Sequence, residues 1–340
     1  MPCSEPWGRA MRRRDFINAA AGAAAVWPLA AQAQQQPKLP VVGYLSTGSP
    51  EADATPFLAA FRKGLGEMSF VEGKNVMIEY RWANFRYERL SAMAADLAQR
   101  FVAVIAAIGG TPTGLAATAA TSTVPIVFYL GIDPVKFGLV ASLNHPGQNV
   151  TGIAALQAEL VAKRIEFLHE LVPKAAVAAL LVNPDNPYTE PEARAVQDAA
   201  RSLGLGELQI LQASTASEID AAFRTLPQLH VDALIVSADL FLLSQQKQIV
   251  AAATQYNLPT MYPWREYVSA GGMVSYGPSL FEAFRLVGVY TRKILRGAPP
   301  AELPVEQESK VDLVINLTAT KAFQVSVPIP VVGRADEVIE

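Results

Sequence analysis

The sequence predicts an α/β fold in which parallel sheets are covered by helices on both faces. From residue 39 onward, short runs rich in valine, isoleucine and leucine alternate with stretches whose apolar residues follow helical spacing. This alternation is typical of parallel strands connected by helices. It restarts near residue 156, and each of the two series is long enough for a core of its own. We therefore expect two similar lobes.

The elements of the first series follow in order from residue 41. A strand is predicted over 41–45, and the helix after it, over 55–68, carries Phe57, Phe61 and Leu65 at four-residue spacing. The series continues with strands over 76–81, 102–108 and 126–130, separated by helices over 87–100 and 112–121. Four strands thus precede Asp133.

The second series begins with a helix over 156–171. Strands are predicted over 177–182, 208–212 and 233–237, and they alternate with helices over 190–203, 216–226 and 242–256. The remaining chain predicts strands over 260–262, 273–275 and 311–316, a helix over 281–296, and a short helix or turn around 319–323.

The first 33 residues have the three parts of an export signal. Three arginines at 12–14 precede an apolar run over 19–31, and a small-x-small pattern ends at Ala33. A helix that spans a bilayer needs about 20 apolar residues, so the run is too short. The arginines resemble a twin-arginine export signal, and export by the general secretory route is the alternative. Met11 is an alternative start of translation. We expect cleavage near Ala33 and a mature chain in the periplasm, without membrane insertion.

Composition and motifs argue against several classes of function. The chain has 28 Lys and Arg against 31 Asp and Glu, which is not the basic surface that nucleic acid needs. One cysteine, Cys3, and three distant histidines, His145, His169 and His230, give no metal-site spacing. No dinucleotide, P-loop, nucleophile-elbow or zinc-protease motif occurs. We therefore predict no cofactor and favour a binding protein, with its ligand at the carboxyl ends of the strands.

Three segments resemble one family throughout their length. They are VVGYLSTGSPE from residue 41, AFRKGLGEMSFVEGKNVMIEYRWA from residue 60 and DPVKFGLVASLNHPGQNVTG from residue 133. They resemble ABC-transporter substrate-binding proteins of the tryptophan and aromatic-amino-acid type. The resemblance implies a type I periplasmic-binding-protein fold, in which two Rossmann-like lobes close on a small ligand by hinge motion.

The resemblance also implies how the chain is divided and what it contacts. The N-terminal lobe is expected over 38–153 plus about 278–308, and the C-terminal lobe over 154–276 plus about 311–340. Crossings between them are expected near 153–156, 276–280 and 308–312. The implied partners are a small ligand and an inner-membrane ABC permease, and the chain is expected to be a monomer.

The resemblance implies ligand-binding residues at the strand ends of both lobes. On the first lobe these are Ser46, Thr47, Gly110, Thr111 and Asp133; on the second they are Asn183, Asp185, Asp239, Tyr262 and Tyr276. Thr111, at a helix N-terminus, either donates to a ligand carboxylate or only caps its helix. Asp133 is a helix cap or a ligand contact. Asp239 matches a position where an acid or amide faces the amino group of the ligand.

Aromatic residues are frequent at the predicted strand ends. They are Tyr44, Tyr129, Tyr188, Phe241, Tyr262, Trp264 and Tyr276. If three of them face the cleft, the ligand is an apolar or aromatic amino acid or a related compound, whereas Arg265 points instead to an acidic ligand. A ligand-sensing protein for a signalling receptor and an exported α/β hydrolase remain alternative functions.

Overall fold

Two sheets of mostly parallel strands, each covered by helices, form the part of the chain that the computed structural model describes. These residues are 39–53, 56–67, 70–155, 157–204 and 206–340. The fold class predicted from the sequence is confirmed. The predicted export signal lies outside the described residues.

The first sheet has six strands, and all of its pairings are parallel. In spatial order it runs β11, β5, β4, β3, β1, β2. The strands are β1 Val41–Ser46, β2 Met77–Trp82, β3 Val104–Ala107, β4 Ile126–Leu130, β5 Val150–Ala154 and β11 Glu306–Gln307. Every residue of β3, β4 and β5 is buried, as expected for central strands with helices on both faces.

Seven helical segments of the described chain accompany this sheet. They are α1 Pro50–Asp53, α2 Pro56–Gly66, a 3₁₀ turn Tyr87–Arg89, α3 Leu90–Gln99, α4 Thr111–Ala120, α11 Leu280–Leu295 and a 3₁₀ turn Pro300–Glu302. Helices α2 and α11 pack closely because glycines face each other. A Cβ on Gly64 would lie 1.9 Å from the carbonyl oxygen of Arg285, and a Cβ on Gly288 would lie 2.2 Å from that of Phe61. We call this sheet with its helices the first lobe.

The second sheet has seven strands in the order β13, β12, β10, β9, β8, β6, β7. They are β6 Val177–Val182, β7 Glu207–Gln212, β8 Ala233–Val236, β9 Thr260–Tyr262, β10 Val274–Pro278, β12 Val311–Asn316 and β13 Glu337–Ile339. The sheet is not wholly parallel, because β12 runs antiparallel to β10.

The helices of the second sheet are α5 Gln157–Leu171, α6 Thr189–Ser202, α7 Ala216–Leu229, α8 Leu240–Ser244, α9 Gln246–Gln255, α10 Arg265–Ser269, α12 Leu317–Ala322 and α13 Ile329–Val332. We call this sheet with its helices the second lobe. Among the described residues, no helix combines the length and apolarity that crossing a membrane requires.

The chain passes three times between the sheets. It leaves the first sheet after β5 and enters α5, which packs on β9 and β10. It returns after β10 with α11, which packs on β3, β4 and β5. The last passage lies between β11 and β12, whose ends are Gln307 and Val311. The carboxyl ends of the parallel strands of both sheets therefore border the space between the lobes.

Four differences from the predicted elements have local causes. Strand β5 was expected only as a crossing, because its five residues include Gly152, which weakens a strand signal. The helix expected over 242–256 is two helices, since Asp239 caps a start at Leu240 and the backbone leaves helical geometry at Gln245. The tail contains α10, α13, β11 and β13, which were not predicted; β11 and β13 are mostly exposed, and the two helices have five residues or fewer. Strand β12 reverses direction within the second sheet.

Candidate functional site

A cleft between the lobes is lined by loops from both sheets. The first lobe contributes Gly109, Gly110, Thr111, Pro112, Tyr129 and Gly131; the second contributes Gln157, Asn186, Tyr188, Ala238, Asp239, Leu240 and Trp264. These residues border a narrow space of about 380 Å³, a figure that includes the part open to solvent. The cleft therefore lies at the carboxyl ends of the strands, where open α/β sheets bind their ligands.

The first-lobe side of the cleft is the N-terminus of α4. Gly110 precedes the helix with φ of 75°, a conformation that glycine adopts without strain. Thr111 is the first helical residue and not the cap; its Oγ1 accepts from the backbone N of Gly131 at 3.3 Å. The first turn has no acidic side chain and no side-chain cap. The positive dipole end and the amides of Thr111 and Thr113 thus remain for an anion, since Pro112 has no N–H and the Gly114 amide donates to the Gly110 carbonyl.

Three buried aromatic residues, Tyr129, Tyr188 and Trp264, line the rest of the cleft. Their exposed fractions are 3%, 4% and 2%, and within the described chain their hydroxyls and indole nitrogen have no hydrogen-bond partner. Burial raises the pKa of Tyr129 and of Tyr188 well above the ordinary tyrosine value, so both hydroxyls stay protonated. An indole nitrogen can only donate. Three residues of the cleft lining thus carry a buried polar atom that has no partner within the described chain.

Asp239 is the acidic group of the cleft, and protein donors already surround it. One of its oxygens accepts from the backbone amides of Phe241 and Leu242, at 2.9 and 3.1 Å, and from Asn183 Nδ2 at 3.3 Å. The other accepts from Asn186 Nδ2 and from the Tyr87 hydroxyl, each at 2.9 Å. Burial raises the pKa of Asp239 above its usual value, and these bonds oppose that effect.

The bond between Tyr87 and Asp239 joins the two lobes. Tyr87 belongs to the 3₁₀ turn of the first lobe and Asp239 to the start of α8 in the second. Tyr87 does not line the cleft but lines an outer groove, which it shares with Glu88, Leu115 and Asp185, among others. Tyr87 thus borders the groove and Asp239 borders the cleft, and the bond links the two residues.

The structure brings together three of the ten predicted site residues, namely Gly110, Thr111 and Asp239. Asn183 lies behind Asp239 and is bonded to it. Ser46 and Thr47 are buried beneath the cleft at the end of β1. The Ser46 hydroxyl accepts from Gly48 N, and Thr47 donates to the Gly109 carbonyl, so both order the loops and neither lines the cleft.

The other four predicted residues lie elsewhere. Asp133 caps the turn after β4 by accepting from the amides of Val135 and Lys136. Asp185 is exposed in the outer groove. Tyr262 stacks on Tyr267, and Tyr276 packs against Phe167; neither lines the cleft. The alternation of side chains along β9 and β10 could not be assigned to a face from so few residues.

Arg265 does not support an acidic ligand. Its guanidinium pairs with Glu337 of β13 at 2.8 Å, on the surface and outside the cleft lining. Its neighbour Trp264 enters the cleft instead. Three of the seven aromatic residues singled out at strand ends, Tyr129, Tyr188 and Trp264, line the cleft.

Sequence reasoning missed three polar residues in and beneath the cleft, Gln157, Arg164 and Glu192. All three are buried, with exposed fractions of 2%, 0% and 0%. One signal was present: Arg164 stands next to Ile165 and one turn after Val161, on the face of α5 that packs into the core. A charge on an apolar face indicates a buried polar contact.

Comparison with known proteins gave one family and several relatives. The model of the family described as ABC transporter substrate binding protein matches residues 54–339. A curated relative, the tyrosine-binding protein of Clostridioides difficile strain R20291, is 26% identical over 263 residues, which are 77% of this chain and 75% of the relative.

Two solved structures share the fold. A conserved domain protein from Vibrio cholerae superposes with a TM-score of 0.78 and 26% identity, covering 88% of this chain and all of that one. An ABC domain from Streptococcus pneumonia, in complex with L-Trp, gives a TM-score of 0.77 and 22% identity, with coverage of 89% and 100%. At this identity, the second similarity establishes the fold alone.

Proposed function

Because the chain belongs to the family of ABC transporter substrate-binding proteins, we propose that it captures an aromatic amino acid in the cleft and delivers it to an importer. In this proposal the chain works as a monomer in the periplasm, and its macromolecular partner is the inner-membrane permease. It acts as a binding protein rather than an enzyme.

The observation that carries the proposal is the set of unpartnered polar atoms on Tyr129, Tyr188 and Trp264. A buried donor without an acceptor costs about 1–3 kcal/mol, so a bound solute that supplies oxygen atoms is strongly favoured. The rings add stacking worth about 0.5–1.5 kcal/mol for each ring pair formed with the ligand. An aromatic amino acid offers both the oxygens and the ring.

The carboxylate of such a ligand fits the N-terminus of α4. Its donors would be the amides of Thr111 and Thr113, because Pro112 has no N–H and the Gly114 amide donates to the Gly110 carbonyl. No acidic side chain of that turn competes for the carboxylate. The positive end of the helix dipole adds to the attraction. We place the carboxylate there, on the first-lobe side.

The ammonium group then faces Asp239 on the second-lobe side. Asn186 lines the cleft and donates to Asp239, whereas Tyr87, which donates to the same oxygen, lines the outer groove. We therefore expect the ammonium to take the place of the Asn186 amide and to leave the bond from Tyr87 intact. The tyrosine-binding protein from Clostridioides difficile, at 26% identity, supports an aromatic ligand.

Native mass spectrometry tests the proposal on protein exported to the periplasm and purified without refolding. We expect an added mass equal to that of an aromatic amino acid, lost on denaturation. Trp264→Phe keeps a ring but removes the donor, so it should retain less ligand. Tyr262→Phe, a buried tyrosine outside the cleft lining, is the matched control. Retention of a solute with no amino group and no carboxylate, such as a sugar, would contradict the proposal.

A further inference from the structure

Arg164 is fully buried in the middle of α5, two turns after Gln157 on the same face. Its Nε donates to the carbonyl oxygen of Tyr276 at 2.7 Å, and its Nη2 donates to Gln157 Oε1 at 2.8 Å. Its Nη1 has no partner within the described chain. Burial lowers the pKa of Arg164 to about 10, and Glu192 partly offsets this effect.

The contact with Arg164 determines which end of the Gln157 amide faces the guanidinium. A guanidinium has only donors, so the atom that it meets must be the amide oxygen. The NH₂ group of Gln157 is then left as the donor at the other end. Because Gln157 lines the cleft, this donor is available to a ligand.

The Gln157 side chain lies next to the N-terminus of α4, with Gly131 between them. The backbone N of Gln157 donates to the Gly131 carbonyl at 2.8 Å, and the Gly131 amide donates to Thr111 Oγ1. A Cβ on Gly131 would lie 3.0 Å from Gln157 Cγ and 3.6 Å from Thr111 Oγ1. The glycine thus leaves room for the amide beside the helix amides.

Burying a guanidinium costs desolvation free energy that its contacts within the fold often do not recover. The carboxylate that counters its charge, Glu192, hydrogen-bonds the Ser237 hydroxyl and not Arg164. A methionine at position 164 would fill much of the same volume without a charge to desolvate. The desolvation cost of Arg164 therefore favours a role in ligand recognition over a role in stabilising the fold.

We propose that Arg164 is a positioning residue that fixes the Gln157 amide with its NH₂ toward the cleft, so that the site selects ligands by their carboxylate. This inference rests on the proposed function and adds a specificity determinant to it. The amide of Gln157 and the first amides of α4 donate to the same carboxylate, one from each lobe. The carboxylate thereby connects the two lobes when the cleft closes.

Titration calorimetry with L-tryptophan and L-tryptophanamide tests this assignment, because the amide replaces one carboxylate oxygen by NH₂. Wild type is expected to prefer the acid. Gln157→Glu keeps the partner of Arg164 but sets a carboxylate against the ligand carboxylate, so the acid-to-amide preference should fall by about 10- to 100-fold. Arg164→Met frees the amide to turn, and the preference should fall by about tenfold.

Two control variants change the same charges elsewhere. Gln197→Glu adds a carboxylate on the exposed face of α6, and Lys163→Met removes a cation from the surface of α5. Both should keep the wild-type preference. General damage to the site would weaken both ligands equally and leave their ratio unchanged, which separates positioning from a structural role. If Arg164→Met does not fold, Gln157→Glu decides alone.

The outcomes distinguish this inference from the proposed function. An unchanged acid-to-amide preference in folded Gln157→Glu overturns the assignment of the amide, and the proposed function survives. Binding of neither ligand by wild type, with no binding of L-tyrosine or L-phenylalanine, overturns the proposed function and this inference together.

Discussion

Removing the Tyr87 hydroxyl should weaken ligand binding, although this hydroxyl makes no contact with the ligand in the proposed complex. The hydroxyl belongs to the first lobe and donates to Asp239 of the second at 2.9 Å, and both residues are buried. In the proposed function the bond forms only in the closed state, which it therefore stabilises. Tyr87→Phe keeps the ring and deletes this one donor.

The magnitude follows from what remains around Asp239. A hydrogen bond to a charged group contributes about 1.5–3 kcal/mol. In the ligand-bound state Asp239 keeps four other donors after the change: two backbone amides, Asn183, and the ligand ammonium that takes the place of Asn186. Its charge therefore stays hydrogen-bonded. We therefore expect the lower end, about 1.5 kcal/mol, which is roughly a tenfold rise in Kd. Most of it should appear in a faster dissociation rate.

Stopped-flow fluorescence and calorimetry with L-tryptophan measure both quantities. Tyr80→Phe is the matched control, because the Tyr80 hydroxyl also donates to a carboxylate, Glu72 at 2.9 Å, but within the first lobe and outside the cleft. It should leave Kd and the dissociation rate unchanged. An unchanged or lower Kd in Tyr87→Phe would mean that the ligand ammonium displaces this hydroxyl. That result would refute the claim that the bond between Tyr87 and Asp239 stabilises the ligand-bound state.

Three further predictions concern stability, closure and export. Burial near Glu282 and Glu306 raises the pKa of Glu308 to about 8, so the folded state loses stability as pH rises from about 4.5 to about 8. The Glu308→Gln variant should therefore have a higher melting temperature than wild type at pH 8 and the same one at pH 4. Equal melting temperatures at both pH values would contradict the raised pKa of Glu308. If the lobes close on the ligand, small-angle scattering should give a smaller radius of gyration with L-tryptophan than without; identical profiles at saturation would indicate a rigid molecule. Mass spectrometry of exported protein should find an N-terminus near Gln34, and a retained 12–33 segment would contradict cleavage there. Replacing Arg13 and Arg14 with lysine should block export by the twin-arginine route, and unimpaired export would contradict the use of that route.

The regular part of the fold could be predicted from the sequence because its signals are strong and local. Strands β4, β6, β9 and β12 have the predicted bounds, since each is an apolar run between polar loops. Strand β5 was missed because Gly152 interrupts its apolar run, and β11 and β13 were missed because their mostly exposed residues form no apolar run. Their pairing depends on neighbours that are distant in sequence.

The cleft was predicted less well than the fold. Gly110, Thr111 and Asp239 could be placed from their positions at strand ends, where parallel sheets present their loops. Tyr262 and Tyr276 lie outside the cleft lining. A side chain near a strand end faces either the cleft or the core, and a shift of one residue decides which. Arg164 acts through Gln157, and such a contact across two helical turns depends on packing that no motif encodes.

Isothermal titration calorimetry of the wild-type chain with L-tyrosine, L-tryptophan, L-leucine and L-aspartate tests the central claim most directly. The account predicts one saturable site for the two aromatic amino acids, weaker binding of leucine and none of aspartate. It also predicts a negative heat-capacity change, because apolar surface is buried. Binding of aspartate alone, or no binding of any amino acid at millimolar concentration by ligand-free protein, would contradict the account.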